Sequence, residues 1–178
     1  MTSTNDHVEG ATEPWVQNLL VALLHSLQRE SPNVLELGGF QGHTSLVLAQ
    51  AMTAGTLTIA EYDPDALDRA HMITQRLVDA RIAKPVIWRV LQSDALLVIG
   101  HCANESLDFV FVDDDHTETH VTEELNALIP KMRADGIICF HDVYGSCELH
   151  RVVERAGGYC LKLPMLGPAG GIGILQVR

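Results

Sequence analysis

The chain has 178 residues, 47% of them hydrophobic, which suits one domain with a sizeable core. Its 23 acidic against 12 basic side chains give a formal charge of −11, which speaks against a nucleic-acid partner, whose phosphates demand clustered Lys and Arg. No apolar run approaches the roughly eighteen residues of a membrane span, and Met1 to Glu13 lacks the basic-then-apolar order of a secretory leader. The four cysteines, Cys102, Cys139, Cys147 and Cys160, show neither C-x-x-C pairing nor metal-finger spacing. They read as reduced, mostly buried thiols of a cytoplasmic protein without a membrane partner.

Residues 1–12 form a polar, flexible lead, and residues 13–178 a single domain without repeats or linkers. Pro14 to Arg29 carries Trp15, Leu19, Leu20, Leu23, Leu24 and Leu27 at helical spacing, with Pro14 suited to a first turn. Val34 to Leu37 is a strand and Thr44 to Met52 a helix behind it. Thr56 to Glu61 is a second strand, rich in β-branched residues. Asp63-Pro64 then opens a helix to about Arg81. Pro85 to Leu91 is a third strand, Asp94 to Ile99 a short helix, and Leu107 to Val112 an apolar strand buried on both faces. A helix from Thr117 to Met132 is expected to close at Ala134-Asp135-Gly136, before a strand over Ile137 to Phe140. Glu148 to Ala156 is a further helix. Tyr159 to Leu163 and Ile172 to Val177 pair antiparallel around Gly167 to Gly171, a hairpin loop or a lip of the site. Strands alternating with helices predict an α/β fold: a mostly parallel sheet of seven strands, helices on both faces, finished by an antiparallel edge hairpin.

Val34-Leu35-Glu36-Leu37-Gly38-Gly39-Phe40-Gln41-Gly42-His43-Thr44-Ser45 runs from an apolar strand through a glycine turn into a helix. An open α/β sheet builds a nucleotide-sized pocket in that way at the carboxyl end of its first strand. A dinucleotide fingerprint needs Gly at the first, third and sixth places of G-x-G-x-x-G. Counted from Gly38 those places hold Gly38, Phe40 and His43, which argues against an NAD-dependent oxidoreductase.

The spacing present, acidic-x-Gly-x-x-x-Gly, resembles the first motif of class I S-adenosylmethionine (SAM) methyltransferases, a Rossmann-like fold. Four further segments follow in order: Leu57 to Pro64 with Glu61, Gln92-Ser93-Asp94-Ala95, Leu107 to His116, and Ile137 to Val143. The ordered set resembles small bacterial metal-dependent O-methyltransferases of the catechol and macrocin types. The resemblance implies a methyl transfer from SAM to a hydroxyl of a small molecule, a sugar or a natural-product scaffold.

It also implies roles. The cofactor positions are Glu36, Gly38, Gly39, Phe40, Gly42, Ser45, Glu61, Tyr62, Ser93, Asp94, Ala95 and Asp113. Glu61 sits where a carboxylate can accept both ribose hydroxyls, and Glu36 near the methionine end of the cofactor. Asp94 either accepts from the adenine amino group or caps a helix. Asp113, His141 and Asp142 stand at the metal-ligand positions, for Mg²⁺ or Mn²⁺; two facing carboxylates repel unless a cation lies between them. The family usually has a carboxylate where His141 stands, and imidazole favours Mn²⁺, Fe²⁺ or Zn²⁺ over Mg²⁺.

The resemblance also implies a general base just after Asp113, at Asp115 in the macrocin type and at His116, in place of a lysine, in the catechol type. His116 can take a proton near neutrality, and Asp115 is the second choice; Asp115 or Thr117 would also cap the following helix. His120, one turn on, is expected at the surface. Short connections leave little material for a lid, so the acceptor pocket is open or completed by a second copy in a homodimer. The alternatives are a metal-independent N- or O-methyltransferase of the same fold and a non-catalytic nucleoside-binding module. The ordered acids and bases Asp113, His116 and Asp142 argue against the latter.

Overall fold

The computed structural model describes residues 12–62, 68–82, 86–145, 148–162 and 170–178. The elements follow in chain order: α1 (Pro14–Ser26), β1 (Asn33–Leu37), α2 (His43–Ala51), β2 (Gly55–Glu61), α3 (Arg69–Asp79), β3 (Val86–Gln92) and α4 (Ala95–His101). Then come β4 (Leu107–Val112), α5 (Glu118–Leu128), a 3₁₀ turn (Ile129–Lys131), β5 (Met132–His141), α6 (His150–Arg155), β6 (Tyr159–Lys162) and β7 (Gly171–Gln176). Among the described residues seven strands form one sheet in the order β3-β2-β1-β4-β5-β7-β6. The first five run parallel, and β7 lies antiparallel between β5 and β6. The expected α/β architecture with its edge hairpin is therefore present.

The alternation of strand side chains divides the core in two. Val34, Leu57, Ile59, Phe109, Phe111, Ile137 and Cys139 point to one face, where they meet Val16, Leu20 and Leu24 of α1, Leu48 of α2, and Ile73 and Leu77 of α3. Leu35, Leu37, Ala60, Val110, Val112, Ile138 and Phe140 point to the other, against Val98 and Ile99 of α4, Val121, Leu125 and Leu128 of α5, and Val152 and Val153 of α6. Of the expected stripe of α1, Leu20 and Leu24 are core, while Trp15, Leu19, Leu23 and Leu27 are partly buried against it. Among the described residues no helix is long and apolar enough to cross a membrane.

Two sequence expectations are corrected here. Ala134-Asp135-Gly136 does not close a helix; these residues lie inside β5, which begins at Met132. Pro130 stops α5 in the 3₁₀ turn, and the chain then pairs at once, Met132 beside Leu107. Asp135 turns at a positive φ of 65°, and its N–H donates to Val177 O. The register shift between Leu107 and Phe109 accommodates this kink around Asp108. Asp108, 1% exposed, accepts from Asn33 N (2.8 Å) and from Arg133 Nη1 (2.9 and 3.2 Å), so the buried carboxylate is fully paired. Among the described residues the thiols are less buried than expected: Cys139 is inaccessible, while Cys102 and Cys160 are half-buried. Cys147, the Asp63-Pro64 helix start and Gly167 to Ala169 lie outside the described residues.

Candidate functional site

Strand order reverses between β1 and β4, and in open α/β sheets ligands bind in the crevice beyond the strand ends at that reversal. The site is built there. The chain leaves β1 at Leu37 and turns at Gly38, whose φ is +84° and whose N–H donates to Ala60 O (2.9 Å). A Cβ at Gly38 would stand 2.2 Å from the Asp113 carbonyl oxygen, so only glycine lets β1 and β4 end so close together. Gly42, at φ +77°, is the residue before α2, and Leu46 N donates to its carbonyl. Thr12, Gly38, Gly39, Phe40, Gln41, His43, Thr44 and Asp113 line a narrow cleft over this turn.

Three carboxylates approach the cleft. Glu61, 5% exposed at the end of β2, accepts from Phe40 N (2.6 Å), and its other oxygen lies 3.6 Å from Arg69 Nη1. Arg69 in turn covers the Phe40 ring at 4.6 Å. Glu36, on β1, accepts from Ser45 Oγ (2.5 Å), leaving Oε1 buried without a partner. Burial pushes the Glu36 carboxyl up to about 8, with Ser45 opposing and Asp113 and Glu61 adding repulsion. Asp113, one residue past β4, holds the centre: Thr12 Oγ1 donates to Oδ2 (3.1 Å) and His141 Nδ1 lies 2.9 Å from Oδ1.

His141 ends β5 and is 9% exposed. Its Nε2 faces Glu13 Oε2 at 3.2 Å, and Asp142 Oδ2 lies 3.8 Å from its Nδ1. Burial would lower its pKa, but the hydrogen bond to Asp113 and the charges of Asp113, Asp142 and Glu13 raise it to about 9. At neutral pH His141 is therefore an imidazolium, and it supplies the positive charge that the facing carboxylates require. His116 Nε2, buried and without a hydrogen-bond partner, lies 3.7 Å from Asp113 Oδ1. The donor atoms of Asp113, His116 and His141 all fall within 4.8 Å of one another, a group that could hold a metal ion. Asp142, expected as a ligand, stands at the edge of this group with its backbone at φ 47°.

The remaining expected residues lie around the same carboxyl ends of the strands. Asp94 Oδ1 accepts from Leu97 N (3.2 Å) and caps α4, while Ala95 is buried behind it. Ser93 N donates to Glu61 O (3.2 Å), and Tyr62 is 64% exposed. Asp115 is exposed and accepts from Thr117 N (2.8 Å); Thr117 caps α5 by accepting from His120 N. Because α5 begins only after Thr117, His116 lies outside it and does not share a helical face with His120. His120, expected at the surface, instead turns inward between Asp114 (3.5 Å) and Glu124 (3.3 Å), with 21% of its side chain exposed. Burial raises the pKa of both carboxyls; mutual repulsion adds to it at Glu124, which reaches about 10, while Glu124 and His120 oppose it at Asp114.

Thr12 and Glu13 carried no functional signal in the sequence, yet both touch the centre, 101 and 128 residues from their partners. His43, on the cleft wall, was also unmarked; burial and Arg76 lower its pKa.

The family described as "Methyltransferase domain" matches residues 35–143. No curated protein matches the chain by sequence. Among solved structures, the chain is similar to the O-methyltransferase of Bacillus cereus in complex with SAH, at 19% identity and a TM-score of 0.72, over 96% of this chain and 84% of that one. It is also similar to cofactor-bound Rv0187 from MTB (21% identity, TM-score 0.76, 94% and 82% covered). A third is the O-methyltransferase TomG of Streptomyces achromogenes, involved in tomaymycin synthesis, in complex with SAM (20%, 0.71, 94% and 82%). The family match spans more than half of the chain and contains the glycine turn, Glu61, Asp113 and His141, so the chain belongs to the methyltransferase-domain family.

Proposed function

We propose that the protein is a SAM-dependent O-methyltransferase acting on a hydroxyl of a small molecule, with residues 13–178 as one catalytic unit. SAM, when bound, supplies a methyl group made electrophilic by its sulfonium sulfur. The residues present suit that cofactor. Glu36 offers an orphaned, buried acceptor for an ammonium group, and Glu61 a carboxylate for ribose hydroxyls once its contact with Phe40 N is shared. The Gly38–Gly42 turn allows backbone approach, and Ser93 to Ala95 flank the adenine side.

The observation that carries the O-transfer reading is the place of His116. Its Nε2 faces Asp113 Oδ1 at 3.7 Å, too far for a hydrogen bond but near enough to favour a proton on Nε2. Nδ1 is then left as the acceptor for a substrate proton. Such contacts are commonly long before substrate arrives and tighten in the reacting complex. A hydroxyl held there loses its proton to His116 as the methyl arrives, and alignment contributes several kcal/mol, out of roughly 7–11 at best.

A second reading is favoured by the grouping of Asp113, His116 and His141. The donor set fits Mn²⁺ more readily than Mg²⁺ once His141 releases its proton. A divalent ion held there would polarise the acceptor hydroxyl, and Asp115 would then be the base. Methyl-transfer assays with SAM and a panel of sugars and phenols, with and without chelator, test both. Transfer to oxygen that survives chelation supports His116 as base, and transfer restored only by Mn²⁺ supports the metal reading. A product methylated on nitrogen contradicts both.

A further inference from the structure

We propose that Asp114, His120 and Glu124 form a second divalent-cation site, for a Zn²⁺-like ion, behind the turn that carries Asp113 and His116. This goes beyond methyl transfer and does not depend on it. Asp114 follows β4, while His120 and Glu124 stand one turn apart on α5, so both point to the same side. His120 Nε2 lies 3.5 Å from Asp114 Oδ2 and 3.3 Å from Glu124 Oε1, and the three donor atoms fall within 4.8 Å of one another. Ligands at about 2.0–2.1 Å from a tetrahedral Zn²⁺ stand roughly 3.4 Å apart, which matches both measured edges.

The cluster is more than a group of acids. Glu124 is 0% exposed, and neither of its oxygens has a hydrogen-bond partner; Asp114 Oδ1 is also buried without one. Buried carboxyl groups in native proteins are normally satisfied; here two face each other beside one imidazole, and unless a cation joins them they must hold a proton between them. One imidazole and two carboxylates make a donor set that suits Zn²⁺ and Mn²⁺. The side chains of Asp114 and His120 each remain 21% exposed, which provides an entry path and a fourth position for water. Loaded, the site ties the start of α5 to the end of β4 and steadies the segment between them, Asp113 to Thr117.

The test uses the untagged 178-residue chain, stripped with chelator and titrated with Zn²⁺, and with Co²⁺ as a spectroscopic substitute. His116→Ala removes one donor from the Asp113 group and so weakens competition from that site; the His120 variant then assigns whatever binding remains. We expect that variant to bind one equivalent of Co²⁺, and His120→Ala in the same background to weaken the binding at least a hundredfold. Glu124→Gln in that background should do the same; if it fails to fold, as judged by circular dichroism, the variant of the partly exposed His120 decides alone. Absence of Co²⁺ and Zn²⁺ binding to the His116→Ala protein, or binding unchanged by His120→Ala, overturns the proposal.

Discussion

His141 Nδ1 and Asp113 Oδ1 lie 2.9 Å apart and bridge the ends of two adjacent parallel strands, β5 and β4. Around that pair gather Thr12 and Glu13 from the beginning of the described chain, and Asp142 and His116 from the following turns. A proton on His141 thus stands where the sequence argument required a cation between carboxylates.

That arrangement makes the metal-free protein lose stability as pH rises. His141, raised from 6.5 to about 9 by Asp113, Asp142 and Glu13 against the opposing effect of burial, contributes stability that is fully present below pH 6.5 and lost through about pH 9. Glu36, raised from 4.5 to about 8 chiefly by burial, acts in the same direction: it holds its proton when folded and releases it when unfolded. The thermal midpoint in chelator should fall from pH 6.5 to 9, and His141→Asn should flatten that fall. A midpoint that rises over this interval contradicts the pairing.

Replacing Glu36 with Gln keeps the volume and an acceptor for Ser45 Oγ, so the fold should survive. What is lost is the carboxylate that forms when an arriving ammonium group draws the proton from Glu36, since an amide cannot ionise in the same way. We expect SAH affinity to drop by about tenfold, roughly 1.4 kcal/mol, with the thermal midpoint unchanged or raised. Calorimetry and melting on the same preparation separate the two effects.

His116→Ala should lower kcat by about 10²- to 10⁴-fold, the range of general-base assistance, while SAH binding stays within a few-fold of the parent. A rate that rises with pH in the variant, as hydroxide replaces the imidazole, is the corresponding signature. Equal loss of SAH affinity would move His116 from proton transfer to cofactor binding.

Asp108→Ala should cost about 3 kcal/mol in a denaturant titration. The change leaves Asn33 N and Arg133 Nη1 without their buried acceptor, although the arginine ends are half-exposed. A loss under about 1 kcal/mol would show that water satisfies those donors instead.

Most of the sheet was legible because its signals are local. Val34 to Leu37 and Leu107 to Val112 are apolar runs of strand length, and Gly38 and Gly42 mark a turn that only a positive φ satisfies. What escaped depends on contacts distant in sequence. Ala134-Asp135-Gly136 looks like a helix end, and only its pairing with the end of β7 draws it into β5. His120 has the spacing of a companion to His116, but the capping of α5 by Thr117 breaks that relationship and turns it toward Glu124. Thr12 and Glu13 reach the centre from a polar lead with no pattern of its own. The expected site residues Glu36, Gly38, Glu61, Asp113 and His141 lie around the carboxyl ends of β1, β2, β4 and β5, yet the exchange of hydrogen bonds among them could not be read from spacing.

The central claim is that the crevice beyond β1, β2 and β4 holds a SAM-type nucleoside, with Glu61 as its anchor. Calorimetric titration of S-adenosylhomocysteine into the parent protein and into Glu61→Ala tests it most directly. The account predicts one site of micromolar affinity in the parent and a loss of about a hundredfold or more in the variant. Absence of binding in the parent, or equal binding in both proteins, would contradict it.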